Sequence, residues 1–309
     1  MNSPKHLILT FFFCLLCQPG AAHAAAAVAS AHPLATQAGL QILRQGGNAF
    51  DAAVAVTAAL AVVEPAGSGL GGGGFWLLHE AATGRQVMLD GRERAPMEAH
   101  RDMYLDDNGE VRPDLSVDGP LAAGIPGEPA AIAWLASVMG DLPLSQSLAP
   151  AIAYAEQGFP VGEHYQRLMT FRHPVIQAHP AAAEIFLDNG EVPEPGWQLV
   201  QKDLGTVLRA LAIEGFDGFY RGPVAKKLVD GNRAAGGIWT LDDLASYGVR
   251  IRQPVQGQFG DMKITSASLP SSGGLVMTQV FNILDALELS AADLVTLLRD
   301  RAALSDANI

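Results

Sequence analysis

Charge is scarce in this chain. Asp, Glu, Lys and Arg make up 17% of its 309 residues, against roughly 25% in an average soluble domain. What charge there is leans acidic: 20 Lys and Arg against 32 Asp and Glu give −12 with histidine neutral. Such a chain gains nothing from counterion release on phosphates, which disfavours a nucleic-acid partner. An anionic membrane surface is disfavoured on the same ground. Cysteine is rarer still, and both copies, Cys14 and Cys17, fall within residues 1–24. That segment reads as a secretory signal peptide: Lys5 gives a positive end, Leu7 to Cys17 an apolar run, and Ala22-His23-Ala24 a small-x-small cleavage site. The run is too short to span a bilayer. The mature chain, residues 25–309, is therefore expected to be periplasmic or secreted, with a charge of −13 once Lys5 is gone. It would carry no thiol, which excludes disulfides, zinc–thiolate sites and a cysteine nucleophile. Long hydrophobic runs are lacking too. The longest, Ala52 to Val63, is broken by Thr57 and reads as a buried helix.

Glycine (33 residues) and apolar side chains (49%) are abundant, enough for a sizeable core. The pattern predicts a helix from Pro33 to Gln45, stopped by Gly46-Gly47. A second helix starts at Asn48, with Asp51 completing a capping box, and runs to Val63 with apolar residues on nearly every side. After the glycine run Gly67–Gly74, Phe75–Glu80 and Arg85–Asp90 read as a hairpin turning at Thr83-Gly84. Helices are predicted near Glu128–Val138, Ser147–Gln157, Leu199–Glu214 and Pro223–Asn232, and a short one after Thr240, with Asp243 as its capping-box acid. Two strand-like runs, Val249–Gln256 and Gln258–Ser268, lead to Leu269–Gly274 and a helix reaching Leu287. Helices and strands in this order indicate α+β layers rather than a βαβ series.

The glycine run contains a formal G-x-G-x-x-G at Gly67, Gly69 and Gly72. A dinucleotide site needs a strand before it and a helix after it; here the order is reversed, and no Walker lysine follows. Two readings of the glycines stay open: close packing of backbones beside a sheet, or room left beside a substrate. Ser68 and Ser272 lack the flanking glycines of a nucleophile elbow. His173 and His179 each precede a proline and read as surface-loop residues without metal-ligand company. The pairs Asp106-Asp107 and Asp242-Asp243 read as solvated turn and helix-start charges. Arg92, in DGRERAP, stands just past a strand that should be central. A guanidinium there can grip a carboxylate bidentately, or it can simply pair with Glu93 or Asp90.

Several stretches together resemble the γ-glutamyltranspeptidase family. They are GGNAFDAAVAV (46–56), VVEPAGSGLGGGGFWLL (62–78), LDGRERAPMEAHRDMYLD (89–106), AAGIPGEPAAIAWL (122–135) and LAPAIAYAEQGFPV (148–161). LGTVLRALAIEGFDGFYRGPVAKKLVD (204–230), GGIWTLDDLASYGVRIRQPVQGQF (236–259) and LPSSGG (269–274) follow in the family's order. The resemblance implies a four-layer αββα sandwich of the N-terminal-nucleophile hydrolase type. It implies a precursor cut into two subunits, in which the small subunit's new N-terminal threonine attacks a γ-glutamyl amide such as that of glutathione. The threonine's own amine serves as base, backbone N–H groups hold the oxyanion, and water or an acceptor amine resolves the γ-glutamyl-enzyme. No metal or organic cofactor is implied. The arginine of the strand-end motif, here Arg92, would bind the substrate's α-carboxylate. After Leu289 the resemblance fades, so residues 25–309 are expected to form a truncated large-subunit domain, a partial sandwich lacking the small-subunit part. No threonine present sits at a processing junction, so no catalytic residue is carried over. The chain alone is then expected to be inactive and to require a small subunit or C-terminal half. The alternative is a non-catalytic large-subunit remnant that binds α-amino carboxylates through Arg92.

Overall fold

The computed structural model describes residues 26–287, 292–293, 295–296 and 299–300. The expected signal peptide and its two cysteines lie outside the described residues.

The chain opens with helix α1 (Pro33–Arg44). The imidazole of His32 accepts from Leu34 N, Pro33 takes a first-turn position, and Gly46 at φ +93 follows the helix end. Helix α2 (Ala49–Val63) begins with the anticipated box: Asn48 Oδ1 accepts from Phe50 N and Asp51 N, while Asp51 Oδ2 accepts from Asn48 N. Its alanine and valine side chains are buried on most sides, because α1, α3 (Glu128–Met139) and α4 (Leu144–Gln157) all pack on it. Asp51 is fully buried and also accepts from Asp141 N and Leu142 N, which fastens the start of α2 to the α3–α4 connection.

Strands β1 (Gly74–Glu80) and β2 (Arg85–Gly91) pair antiparallel from Gly74↔Gly91 to Glu80↔Arg85. On the other side of β2 lies β5 (Arg250–Arg252), so β2 is central in a three-stranded sheet, as anticipated. Met88 and Leu89 are fully buried; α3 packs on this strand, and Trp76 Nε1 donates to Thr57 Oγ1 on α2. Short strands β3 (Phe159–Pro160) and β4 (Gln198–Leu199) form a separate pair. Helices α5 (Glu163–Gln177) and α6 (Pro180–Phe186) lie between them in sequence. The rest comprises α7 (Lys202–Glu214), α8 (Asp217–Tyr220), α9 (Gly222–Ala234), α10 (Leu241–Ala245), the hairpin β6 (Val255–Phe259) and β7 (Met262–Ser266), and α11 (Gly273–Ala286).

Three expectations are corrected. His173 is not a loop residue: it is half-buried within α5 and bonds Gly190 O at 2.8 Å, while His179 is an exposed residue of the bend between α5 and α6, as expected. The proline after His179 starts a helix, where its missing N–H costs nothing. The strand-like run Val249–Gln256 is two strands, because Gln253-Pro254 breaks it: β5 joins the main sheet, and β6 turns onto β7 at Gly260. Asp243 is not solvated. It is buried, closes the Thr240 box, and accepts from Met97 N, so it staples α10 to the segment after β2.

Candidate active site

At the end of β2 several backbone segments come close together. Gly72 O accepts from Gly127 N at 2.8 Å and from Glu128 N at 3.0 Å, joining the glycine run to the start of α3. A Cβ on Gly73 would sit 2.2 Å from Gly91 O, and one on Gly127 would sit 2.0 Å from that oxygen and 2.2 Å from Tyr247 Oη. Glycine at 73 and 127 is therefore a steric requirement. Gly67 and Gly71 have nothing within 4 Å of such a Cβ, and both border a cavity of about 610 Å³. The glycines divide by position: Gly73 and Gly127 pack backbones, while Gly67 and Gly71 border open space.

Arg92 lines that cavity. Its backbone is fixed twice, by its N–H on Asp90 Oδ1 at 3.0 Å and by Tyr247 Oη donating to its carbonyl at 2.8 Å. Asp90 is buried and takes Arg252 Nε of β5 on its other oxygen at 2.6 Å, so it is not the partner of the Arg92 guanidinium. That partner is Glu93, whose Oε2 lies 3.2 Å from Arg92 Nε. Arg92 Nη1 donates to Gly73 O at 3.1 Å, and the guanidinium carbon lies 5.9 Å from the Phe75 ring centroid. The side chain is 49% exposed. The ion pair read as one alternative from the sequence is thus present, and the guanidinium still borders open space. Of its five N–H donors two are engaged, which leaves capacity for a bidentate anion.

Two groups went unread in the sequence. Glu128, in the first turn of α3, borders the same cavity but is only 7% exposed, and its Oε1 has no hydrogen-bond partner. Burial, and secondarily the charge of Glu93, push its carboxyl up to about 8. It stands in Pro126-Gly-Glu-Pro129 at the start of a predicted helix, and no sequence signal reports burial there. The second is a tyrosine stack behind the site: Tyr220 and Tyr247 lie 5.4 Å apart, and Tyr220 Oη donates to Pro126 O and accepts from Ala130 N. Burial pushes the Tyr247 phenol up to about 12, so it donates to Arg92 O throughout the physiological range. A larger cavity of about 780 Å³, between Trp134, Phe216 and Ile251, has no charged side chain in its lining. No three His, Cys, Asp or Glu side chains among the described residues are grouped to hold a metal ion.

Comparison with known proteins places this arrangement. The family model for gamma-glutamyltranspeptidase matches residues 35–302. A glutathione hydrolase proenzyme of Pseudomonas sp. (strain A14) is 41% identical over 259 residues, covering 84% of this chain and 45% of the relative. The chain thus spans about half the length of the curated relatives it matches. The Helicobacter pylori gamma-glutamyltranspeptidase structure superposes with a TM-score of 0.82 at 40% identity, over 84% of this chain and 75% of that one. The Pseudomonas nitroreducens gamma-glutamyltranspeptidase complexed with L-DON gives 0.77 at 36%, over 84% and 76%. A match of this extent, on an α+β chain whose central strand ends in a glycine-walled cavity, has one meaning. The chain belongs to the gamma-glutamyltranspeptidase family.

Proposed function

We propose that this chain supplies the large-subunit part of a secreted γ-glutamyltransferase and glutathione hydrolase. In this reading Arg92 holds the α-carboxylate of a γ-glutamyl substrate in the cavity beside the glycine run. The nucleophilic threonine comes from a small subunit or C-terminal half that completes a four-layer αββα sandwich. The observation that carries the reading is Arg92 itself, a guanidinium with its backbone pinned on both sides and free donors at a cavity. The planar fork matches a carboxylate, and the glycines leave space for a slender amino-acid chain. A completing subunit is supported by the sheet: among the described residues β1 pairs only with β2, and Leu77 and Ile251 in the sheet are each 46% exposed. Strand edges and apolar faces of this kind call for cover.

Calorimetry with L-glutamate on the chain, and a γ-glutamyl-amide hydrolysis assay on the chain combined with a small subunit, test the reading. Arg92→Ala should abolish glutamate binding and, in the two-subunit enzyme, lower kcat/KM by roughly 2–5 kcal/mol, the cost of leaving a charged partner unpaired. An unchanged KM for glutathione would refute the carboxylate role. Binding by the chain with no turnover in the combined sample would instead favour the non-catalytic remnant.

A further inference from the structure

Tyr247 follows α10 in the chain, its N–H on Leu244 O, and it is buried. Its hydroxyl donates to Arg92 O at 2.8 Å, across 155 positions of sequence. Two groups lie against its ring. Tyr220 is nearly parallel to it, 5.4 Å away at an interplanar angle of 11°, and Phe216 stacks on Tyr220 in turn at 4.3 Å. The Arg94 guanidinium stands 5.0 Å from the ring centroid and donates to Gly248 O, on the residue after Tyr247. The hydroxyl reaches Arg92 by passing over residue 127, where a Cβ would stand 2.2 Å from Oη, so the approach depends on glycine there. Tyr247 is not in the lining of the Arg92 cavity; it meets the site at the Arg92 carbonyl. The Arg92 side chain is held more lightly than its backbone. It is 49% exposed, with Nη1 on Gly73 O and Nε paired to Glu93. Where such a fork ends depends on where its own Cα is fixed, and misplacing a binding group by about 1 Å is costly.

We propose that Tyr247 is a positioning residue for Arg92: its hydroxyl holds the residue-92 carbonyl so that the half-exposed guanidinium is presented to the cavity at one place, ready for a carboxylate. The inference rests on the reading that Arg92 receives the α-carboxylate of a γ-glutamyl substrate. Tyr247 itself touches no substrate and moves no proton. Asp90, which holds the Arg92 N–H, is a poor probe of the same idea, because it also takes Arg252 Nε and so fastens β5 to β2. Tyr247 is a clean one, since Tyr247→Phe removes a single oxygen and keeps the stacked ring. Tyr220 supplies the matching control. It is a phenol in the same stack, and its Oη is spent on Pro126 O and Ala130 N instead.

Two measurements on the full chain test it. In calorimetry, Tyr247→Phe should raise the Kd for L-glutamate by roughly two- to tenfold, the worth of one neutral hydrogen bond. Tyr220→Phe loses two hydrogen bonds and should lower the melting temperature at least as much, yet it should leave that Kd unchanged. In nitrogen-15 relaxation on the ligand-free chain, the Arg92 amide and Nε should gain mobility in Tyr247→Phe and keep their order in Tyr220→Phe. An unchanged Kd in Tyr247→Phe, an equal loss of affinity in both phenylalanine variants, or an Arg92 whose order ignores the substitution would overturn the proposal. Should the unaltered chain bind no glutamate, the functional reading fails and the ligand-free relaxation decides this one. Should Tyr247→Phe not fold, Arg94→Gln takes its place, since it strips the guanidinium from the ring and from Gly248 O. It should loosen Arg92 and raise the Kd in the same sense, and a variant that folds and does neither would overturn the proposal.

Discussion

Asp51 shows how much one side chain can hold. Fully buried, it accepts from three backbone N–H groups: Asn48 within its own capping box, and Asp141 and Leu142 some ninety positions away. Leaving buried donors unpaired costs roughly 1–3 kcal/mol each. Asp51→Ala should therefore lower the urea-unfolding free energy by at least about 2 kcal/mol, and Asp51→Asn by less, since its carbonyl still accepts; equal stability of all three forms would refute this. Glu128 acts on stability in the opposite sense. Its folded-state value is raised above the unfolded one, so its contribution is full below the unfolded value near 4.5 and is lost as pH climbs to about 8. Over that window the slope is at most about 1.4 kcal/mol per pH unit for one proton. Glu128→Gln should remove it, which denaturation series at pH 5 and pH 8 would reveal. The box at Asn48 was legible because spacing encodes it. The burial of Asp243 and Glu128 was not, because it depends on what distant segments bring to each residue: Met97 N–H to the Asp243 carboxylate in one case, Gly72 O to the Glu128 backbone N–H in the other.

Along the glycine run, neighbouring positions differ in kind. Gly73→Ala would drive a methyl group into Gly91 O, whereas Gly71→Ala meets open space. The first substitution should destabilise the chain by several kcal/mol, in the range of overpacking with backbone displacement. The second should leave the melting temperature within a degree or two while weakening glutamate binding by crowding the cavity. Thermal denaturation beside calorimetry separates them, and equal destabilisation by both would count against the division. The sequence offered glycine at all these positions and no means of telling them apart. Helices announced by caps or continuous apolar faces, such as α2, were readable. Helix α5 was not: it buries only Tyr165 and Met169 and carries Pro174 inside, so neither periodicity nor composition marks it.

Across the whole molecule, stability should be uneven. Helix α2 is enclosed by three other helices, while α5 has two buried residues and α6 none. Native-state hydrogen exchange should find α2 and β2 opening only with global unfolding, and residues 163–186 opening with much smaller free energies. Uniform protection would contradict the picture. The α+β class, the central place of β2 and the position of Arg92 at its end were legible from strand patterning and turn residues. The docking of β5 onto β2, through Arg252 and Asp90, is a pairing of residues 162 positions apart and leaves no local trace.

The meeting of Gly73, Gly91, Gly127 and Tyr247 has a consequence for anyone moving this site between proteins. Two loops, a strand end and a phenol interlock there with no slack, so a grafted DGRE segment would arrive without its socket. The smallest portable unit is the four pieces together, and piecemeal chimaeras between relatives should fail at this knot before they fail in chemistry.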